Sequence, residues 1–215
     1  MGEGSVRVVP PSVEIRHHAI VRDSSNFGRA LQFVLDREGI QSIGDDDDPG
    51  GHTVFGIARK FWPRWEGWVE VDYLNSTTSK RKERERSLSG HAFVRTAVRY
   101  FYLKEFWLAN KCDKMPFEVA LPLFDFAVNS VAREARKALQ RAVGAKPDGV
   151  IGPKTLAALR RKSRDTNSGA MRVGMAITDA RLMRYVRRVQ QGKSPAKYLG
   201  GWMRRIVAVS HEMHR

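Results

Sequence analysis

Apolar residues along this chain recur mostly at three- and four-residue steps, the period of a helix with one buried face. After Asn26, a residue type that caps helices through its side-chain amide, Phe27, Ala30, Leu31, Val34 and Leu35 fall on one such face, and Gly39 is a stop signal. One more step along that face lands on Glu38, so a carboxyl prolongs an apolar stripe at the end of its helix. Residues 90–110 repeat the period at Val94, Ala97, Val98, Phe101, Phe106 and Trp107. A helix opening near Pro116 carries Val119, Leu123, Phe126 and Ala127, with Pro122 inside it as a potential kink. Ala132, Ala135, Leu139, Ala142 and Val143 predict the next helix, closed by Gly144; Asp148-Gly149 predicts a turn, and Pro153 starts a short helix through Leu159. The period returns at Met175, Leu182, Tyr185, Val186 and Val189, and again at Trp202, Ile206 and Val209. Only residues 67–74 admit a two-residue alternation, read as a small β-hairpin, and the mixed-sign run KRKERER (80–86) reads as a solvated loop or a helix start. The expectation is a mostly α fold without internal repeats: an N-terminal arm at 1–25, where Pro10-Pro11 disfavours helix, a first region at 26–115 and a second at 116–215.

Charge divides the chain in the same way. The formal net charge is +15 over 215 residues. Residues 1–130 hold 18 Lys+Arg and 18 Asp+Glu, whereas residues 131–215 hold 20 against 5. Arg133, Arg136, Lys137, Arg141, Arg160, Arg161 and Lys162 make much of that second region basic. Such a field draws a protein to a polyanion: nucleic acid, an acidic membrane or a bacterial envelope. No nucleic-acid-binding signature accompanies it. With 42% hydrophobic residues, 28% charged residues and no apolar run of about 18, the composition is that of a globular protein rather than a disordered or membrane-spanning one. The single cysteine, Cys112, excludes an intrachain disulfide framework and is expected to be buried. No apolar leader is visible at the N-terminus. His17, His18, His52, His211 and His214 lack metal-ligand spacing, so neither metal nor cofactor is expected.

The chemistry concentrates in EGIQSIGDDDDPGGHTVFGI, residues 38–57. A carboxyl at the edge of an apolar face loses hydration, which raises its pKa and suits it to act as a general acid near neutral pH. The acids that follow, Asp45 to Asp48, can stay ionised to steady a developing oxocarbenium ion or hold a water that Thr53 orients, while Pro49-Gly50-Gly51 lets the backbone turn tightly. Taken alone, a glutamate at a helix end is an ordinary surface residue and an aspartate run a solvated loop. A calcium loop is disfavoured, because the bidentate glutamate at the twelfth loop position is missing.

The segment Glu38-Gly39, then Asp48-Pro49-Gly50-Gly51-His52-Thr53, then Gly56-Ile57, resembles the signature of the family-108 glycoside hydrolases, peptidoglycan-cleaving lysozymes frequent among phage endolysins. FDFAVNSVAREARKALQRAVGAKPDGVIGPKTLAAL (124–159) is similar to that family's C-terminal peptidoglycan-binding half, and GWMRR (201–205) resembles its closing Gly-Trp-x-x-Arg. The resemblance implies a lysozyme-like helical fold and an N-acetylmuramidase that cuts the β-1,4 bond between N-acetylmuramic acid and N-acetylglucosamine. It carries Glu38 over as catalytic acid, with Asp48 and Thr53 assisting. Asp47, His52, Trp62 and Asn129 are the substrate-binding candidates.

Two departures bear on these roles. Ile40 and Gln41 replace the usual Gly and Tyr, and the spacer before Asp-Pro-Gly-Gly is one residue longer. Asp48 is the motif match, whereas Asp47 fits the Glu/Asp/Thr spacing of phage lysozymes. Trp62, Trp65 and Trp68 are equally readable as glycan-stacking surfaces and as core. Asn129 serves either the cleft or a buried structural bond, and the Asp148–Thr155 turn reads first as structural. The expected partners are peptidoglycan and anionic envelope polymers or lipopolysaccharide, not nucleic acid, and the expected state is a monomer. The expected setting is a phage-infected host's cytoplasm, with release to the wall; a secreted bacterial effector is the alternative. A lytic transglycosylase and a non-catalytic basic binder are the rival activities.

Overall fold

The structure, a computed structural model, describes residues 26–38, 52–78, 80–164 and 168–215, apart from the side chains of Glu38 and Arg81. The arm at 1–25 and the acidic loop therefore lie outside the described residues. Among those described, nine α-helices and one two-stranded antiparallel ribbon make the fold mostly α, as the periodicity requires. The chain divides into two compact units, residues 1–102 and 103–215.

In the first unit, α1 (Asn26–Glu38) buries Phe27, Ala30, Leu31 and Val34, the stripe read from the sequence, and also Phe33. Strands β1 (Thr53–Val54) and β2 (Ile57–Ala58) pair Thr53 with Ala58 and Val54 with Ile57. Their two-residue turn, Phe55-Gly56, has φ of 49° and 77°. Positive φ at both central residues matches the twist of the flanking strands. Glycine adopts it freely, but a bulky phenylalanine does so at a cost. Phe55 is held there because its side chain is buried and its carbonyl accepts a 2.7 Å hydrogen bond from the Tyr102 hydroxyl.

The hairpin thus lies at 53–58, and the expectation of one near 67–74 is corrected: that segment is α2 (Trp68–Thr77). Trp68 and Val71 point inward while Val69 and Tyr73 are exposed, which is the three-to-four-residue split of a helix. Aromatic and β-branched residues made the segment look strand-like, and burial against neighbouring helices overrode that preference. KRKERER proves to be the start of α3 (Arg81–Gly90), anchored by fully buried Leu88. Helix α4 (Ala92–Tyr102) completes the unit, turning Val94, Ala97, Val98 and Phe101 into its core.

The second unit begins with a π-helical turn (Leu103–Leu108) and a short 3₁₀ turn (Cys112–Lys114). Helices α5 (Phe117–Asn129), α6 (Ala132–Ala142), α7 (Pro153–Arg164), α8 (Gly169–Gln190) and α9 (Leu199–Met213) follow. Helix α8, 22 residues and so about 33 Å long, is the central post, and α5, α6, α7 and α9 all pack on it. Helix α5 is buried nearly all round and runs through Pro122 without interruption. Gly174 sets the closeness of α8 to α5: a Cβ there would sit 2.0 Å from the Glu118 carbonyl oxygen. Cys112 is buried as expected, and the loss of solvent pushes its thiol pKa well up.

Candidate active site

Glu38 is the last helical residue of α1; its side chain, Asp47 and Asp48 lie outside the described residues. What the structure places is the helix face leading to it. Gly28, Leu31 and Leu35, with Gln32 and Asp36 beside them, line one side of a groove of about 270 Å³. Phe55 of the hairpin turn, Ser89, and Arg95, Val98 and Arg99 of α4 line the rest. The row 28–31–35, continued by three residues along the helix, reaches Glu38. The lining mixes apolar surface with amide, hydroxyl and guanidinium groups, the combination that suits a sugar with its hydrophobic faces and hydroxyl rim.

Two more sequence-predicted residues, His52 and Thr53, enter the hairpin together. Thr53 opens β1, half-buried. His52 packs its ring 5.4 Å from that of Trp68, and Asn75 on α2 meets its Nε2 at 3.1 Å. With the Asn75 amide nitrogen donating, Nε2 is the acceptor and the ring proton resides on Nδ1. Partial burial, then the charges of Arg59 and Arg84, lower the His52 pKa against the opposing pull of Asp72, so the ring is neutral at pH 7. Arg59 lies 4.3 Å over the Trp68 ring and donates to Asp72 at 2.5 Å. Trp68, Asp72 and Asn75 therefore form one face of α2 that holds His52, just before the hairpin, and Arg59, just after it. Reading 67–74 as a strand hid this set; the spacing 68–72–75 was the signal that a helical reading would have exposed.

Of the three clustered indoles, two belong to the core. Trp65 and Trp68 are buried edge-to-face at 5.0 Å, and Trp65 reaches the Ala97 carbonyl. Trp62 stays half-exposed, edge-on to Phe101 at 4.8 Å, and its carbonyl accepts from the Trp68 indole at 2.7 Å. Its sequence neighbour Phe61 is exposed.

Asn129 belongs to the second unit, where it ends α5 and accepts a long 3.4 Å hydrogen bond from the Tyr185 hydroxyl. Tyr185 in turn accepts from Arg181 Nε at 2.8 Å, and Arg181 Nη1 donates to Asp125. Asp125 is fully buried and also receives Arg205 at 2.8 and 3.0 Å. Burial alone would raise its pKa, but the two guanidiniums outweigh it and hold the carboxyl below the usual range. The closing Gly-Trp-x-x-Arg motif thus acts structurally, since Arg205 completes this charge cluster and Trp202 stacks on Tyr185 at 4.5 Å. Asp125 and Arg181 were not singled out by sequence, and Tyr185 only as a position on a helical face. The available signal was one acid inside an otherwise apolar helix, which must find a partner when buried.

The Asp-Gly turn after α6 is structural. Buried Gln140 donates to Asp148 Oδ1 at 2.7 Å and to the Val150 carbonyl at 3.0 Å, and accepts from the Gly149 amide at 2.7 Å. Hydrogen bonds from Gln140 and the Val150 amide hold the exposed Asp148 carboxyl below its ordinary pKa.

Residues 31–130 match the family model described as Glycosyl hydrolase 108, and residues 134–207 match the one described as Predicted Peptidoglycan domain. No curated protein matches the chain. Among solved structures, that of Brucella abortus SagA is similar at 29% identity and a TM-score of 0.60, covering 87% of this chain and 93% of SagA.

Proposed function

Given that the chain is a glycosyl hydrolase 108 protein with a C-terminal peptidoglycan domain, and hence a peptidoglycan hydrolase, we propose that it is an N-acetylmuramidase with Glu38 as general acid. The observation that carries this reading is the position of Glu38, at the end of the α1 row that lines the groove of the first unit. In this reading Glu38 supplies the proton that the leaving glycosidic oxygen takes up. The bond cut is the β-1,4 link from N-acetylmuramic acid to N-acetylglucosamine. Asp48, or Asp47 in the longer spacer, stays ionised and either stabilises the oxocarbenium-like transition state or, with Thr53, holds the attacking water.

Two features support the substrate assignment. Neutral His52, fixed by Asn75 and Trp68, offers a hydrogen-bonding edge beside Thr53. Trp62 and Phe61 leave aromatic surface for the apolar face of a sugar ring. The reading extends to a phage endolysin that reaches the wall from the host cytoplasm; a holin gene beside its own would support that role, and secretion genes there would argue for an effector. The test is Glu38→Gln, which keeps the side chain's size and removes its acidity. The folded variant should lose wall lysis by at least two orders of magnitude, the scale of a general acid. Lysis within a factor of a few of the parent would refute the assignment.

A further inference from the structure

The basic residues of the second unit are not spread evenly. Phe126 of α5 floors a cleft of about 460 Å³ between α6 and α8. Glu134 and Arg141 line it from α6, and Arg184, Arg187 and Arg188 from α8. Glu134 is already engaged, accepting from Lys137 at 3.2 Å. None of the four arginines is paired with a carboxylate among the described residues. Arg188 is instead held in place by backbone and hydroxyl contacts, giving Nε to Ser194 at 3.0 Å and Nη2 to the Lys193 carbonyl at 3.2 Å, and Arg187 Nε goes to the Met183 carbonyl at 3.1 Å.

One donor of the lining is orphaned: Arg184 Nε is buried without a hydrogen-bond partner among the described residues. A buried guanidinium donor left unsatisfied is costly, and an anionic acceptor relieves it. Four guanidiniums around one apolar floor, with a single carboxylate at the rim, describe a site for a ligand that carries more carboxylates than amines.

We infer that this cleft binds the stem peptide of peptidoglycan through its free carboxylates. The inference rests on the peptidoglycan reading above and names the part of the polymer that the second unit grips. In stem-bearing glycan the lactyl carboxyl of each muramic acid is amide-bound, so the strand itself is uncharged. The polymer's negative charge sits on the peptide: the α-carboxylate of isoglutamate, the diamino acid and the C-terminal alanine. A neutral sugar has no use for four guanidiniums, whereas bidentate arginine–carboxylate contacts provide both strength and orientation. The cleft would then hold the peptide branch while the first unit engages the strand.

The test is calorimetric titration of the full chain with the free tetrapeptide L-Ala-γ-D-Glu-meso-diaminopimelate-D-Ala. Arg184→Gln/Arg187→Gln should weaken binding at least tenfold, and Arg141→Gln, an exposed position that perturbs packing little, should weaken it several-fold. Arg160→Gln/Arg161→Gln on α7 removes the same charge from exposed positions outside the cleft and should leave binding unchanged. Equal losses for the two double variants reduce the effect to bulk charge and overturn the inference, as does Arg141→Gln binding like the parent. Stronger capture of polyglycerol phosphate than of tetrapeptide overturns it in favour of a phosphate polymer. Cleavage of purified wall is measured separately: an active chain that ignores the tetrapeptide sinks this inference alone, and an inactive chain that binds it sinks only the muramidase reading.

Discussion

Replacing Asp125 by asparagine removes the negative charge that Arg181 and Arg205 share in a buried setting. Arg181 is 3% exposed and the Arg205 side chain 11%, so neither guanidinium can turn to water without moving its helix. Asparagine matches the volume but presents an amide that can satisfy at most part of one guanidinium. Breaking a buried ion pair by removing one partner costs about 3–5 kcal/mol, and here one carboxylate serves two guanidiniums. Against a total stability of roughly 5–15 kcal/mol for a domain, the second unit should melt on the order of 12–20 °C lower. Chemical denaturation of the full chain, followed by tryptophan fluorescence and far-UV circular dichroism, measures the loss. Converting all three charges together, Asp125→Leu with Arg181→Met and Arg205→Met, should recover much of it, because an apolar replacement strands no charge. The pH dependence has a fixed sign. The folded pKa of Asp125 lies below its unfolded value. Its contribution is therefore complete above the unfolded pKa of about 3.9 and is lost as pH falls through the folded value. A loss below about 1 kcal/mol for Asp125→Asn would refute the claim that this cluster ties α5, α8 and α9 together.

Three further outcomes test other parts of the structure. In NMR titration His52 should protonate below the ordinary value of about 6.5, and Arg59→Ala should move the midpoint up, since burial and then Arg59 depress it. The folded pKa is lowered, so the neutral ring's contribution is present above about pH 6.5 and fades as pH falls toward the folded value. Gly174→Ala forces a methyl against the Glu118 carbonyl and should destabilise the second unit by about 1–3 kcal/mol, read by thermal melting. Cys112, fully buried with its thiol pKa raised, should resist an aromatic disulfide reagent in the native protein and react once denaturant unfolds it; rapid native labelling would contradict its placement.

Helical order was legible wherever one face alone carried the apolar residues. The α1 stripe from Phe27 to Val34 and the burial of Val119, Leu123, Phe126 and Ala127 on α5 follow directly from spacing. Local composition misled at 67–74, where Trp68, Val69, Val71 and Tyr73 have strand-like chemistry but helical burial. Contacts that join distant segments left no local trace. Arg181 and Arg205 stand 56 and 80 residues from Asp125, and Asn75 stands 23 from His52. For those only the isolated fact was visible, such as an acid among phenylalanines in FDFAVN or a glutamine on the inner face of α6, each a buried polar group that needs a partner. The catalytic candidates rest on the motif rather than on periodicity: Asp48 matches Asp-Pro-Gly-Gly, and Asp47 matches the Glu/Asp/Thr spacing of phage lysozymes.

The most direct measurement is mass spectrometry of purified peptidoglycan digested in parallel by the parent chain and by Glu38→Gln. The account predicts that the parent releases muropeptides ending in reducing N-acetylmuramic acid, one water heavier than the anhydro form, and that the variant releases almost none. Anhydro ends from the parent, or equal release by the variant, would contradict it.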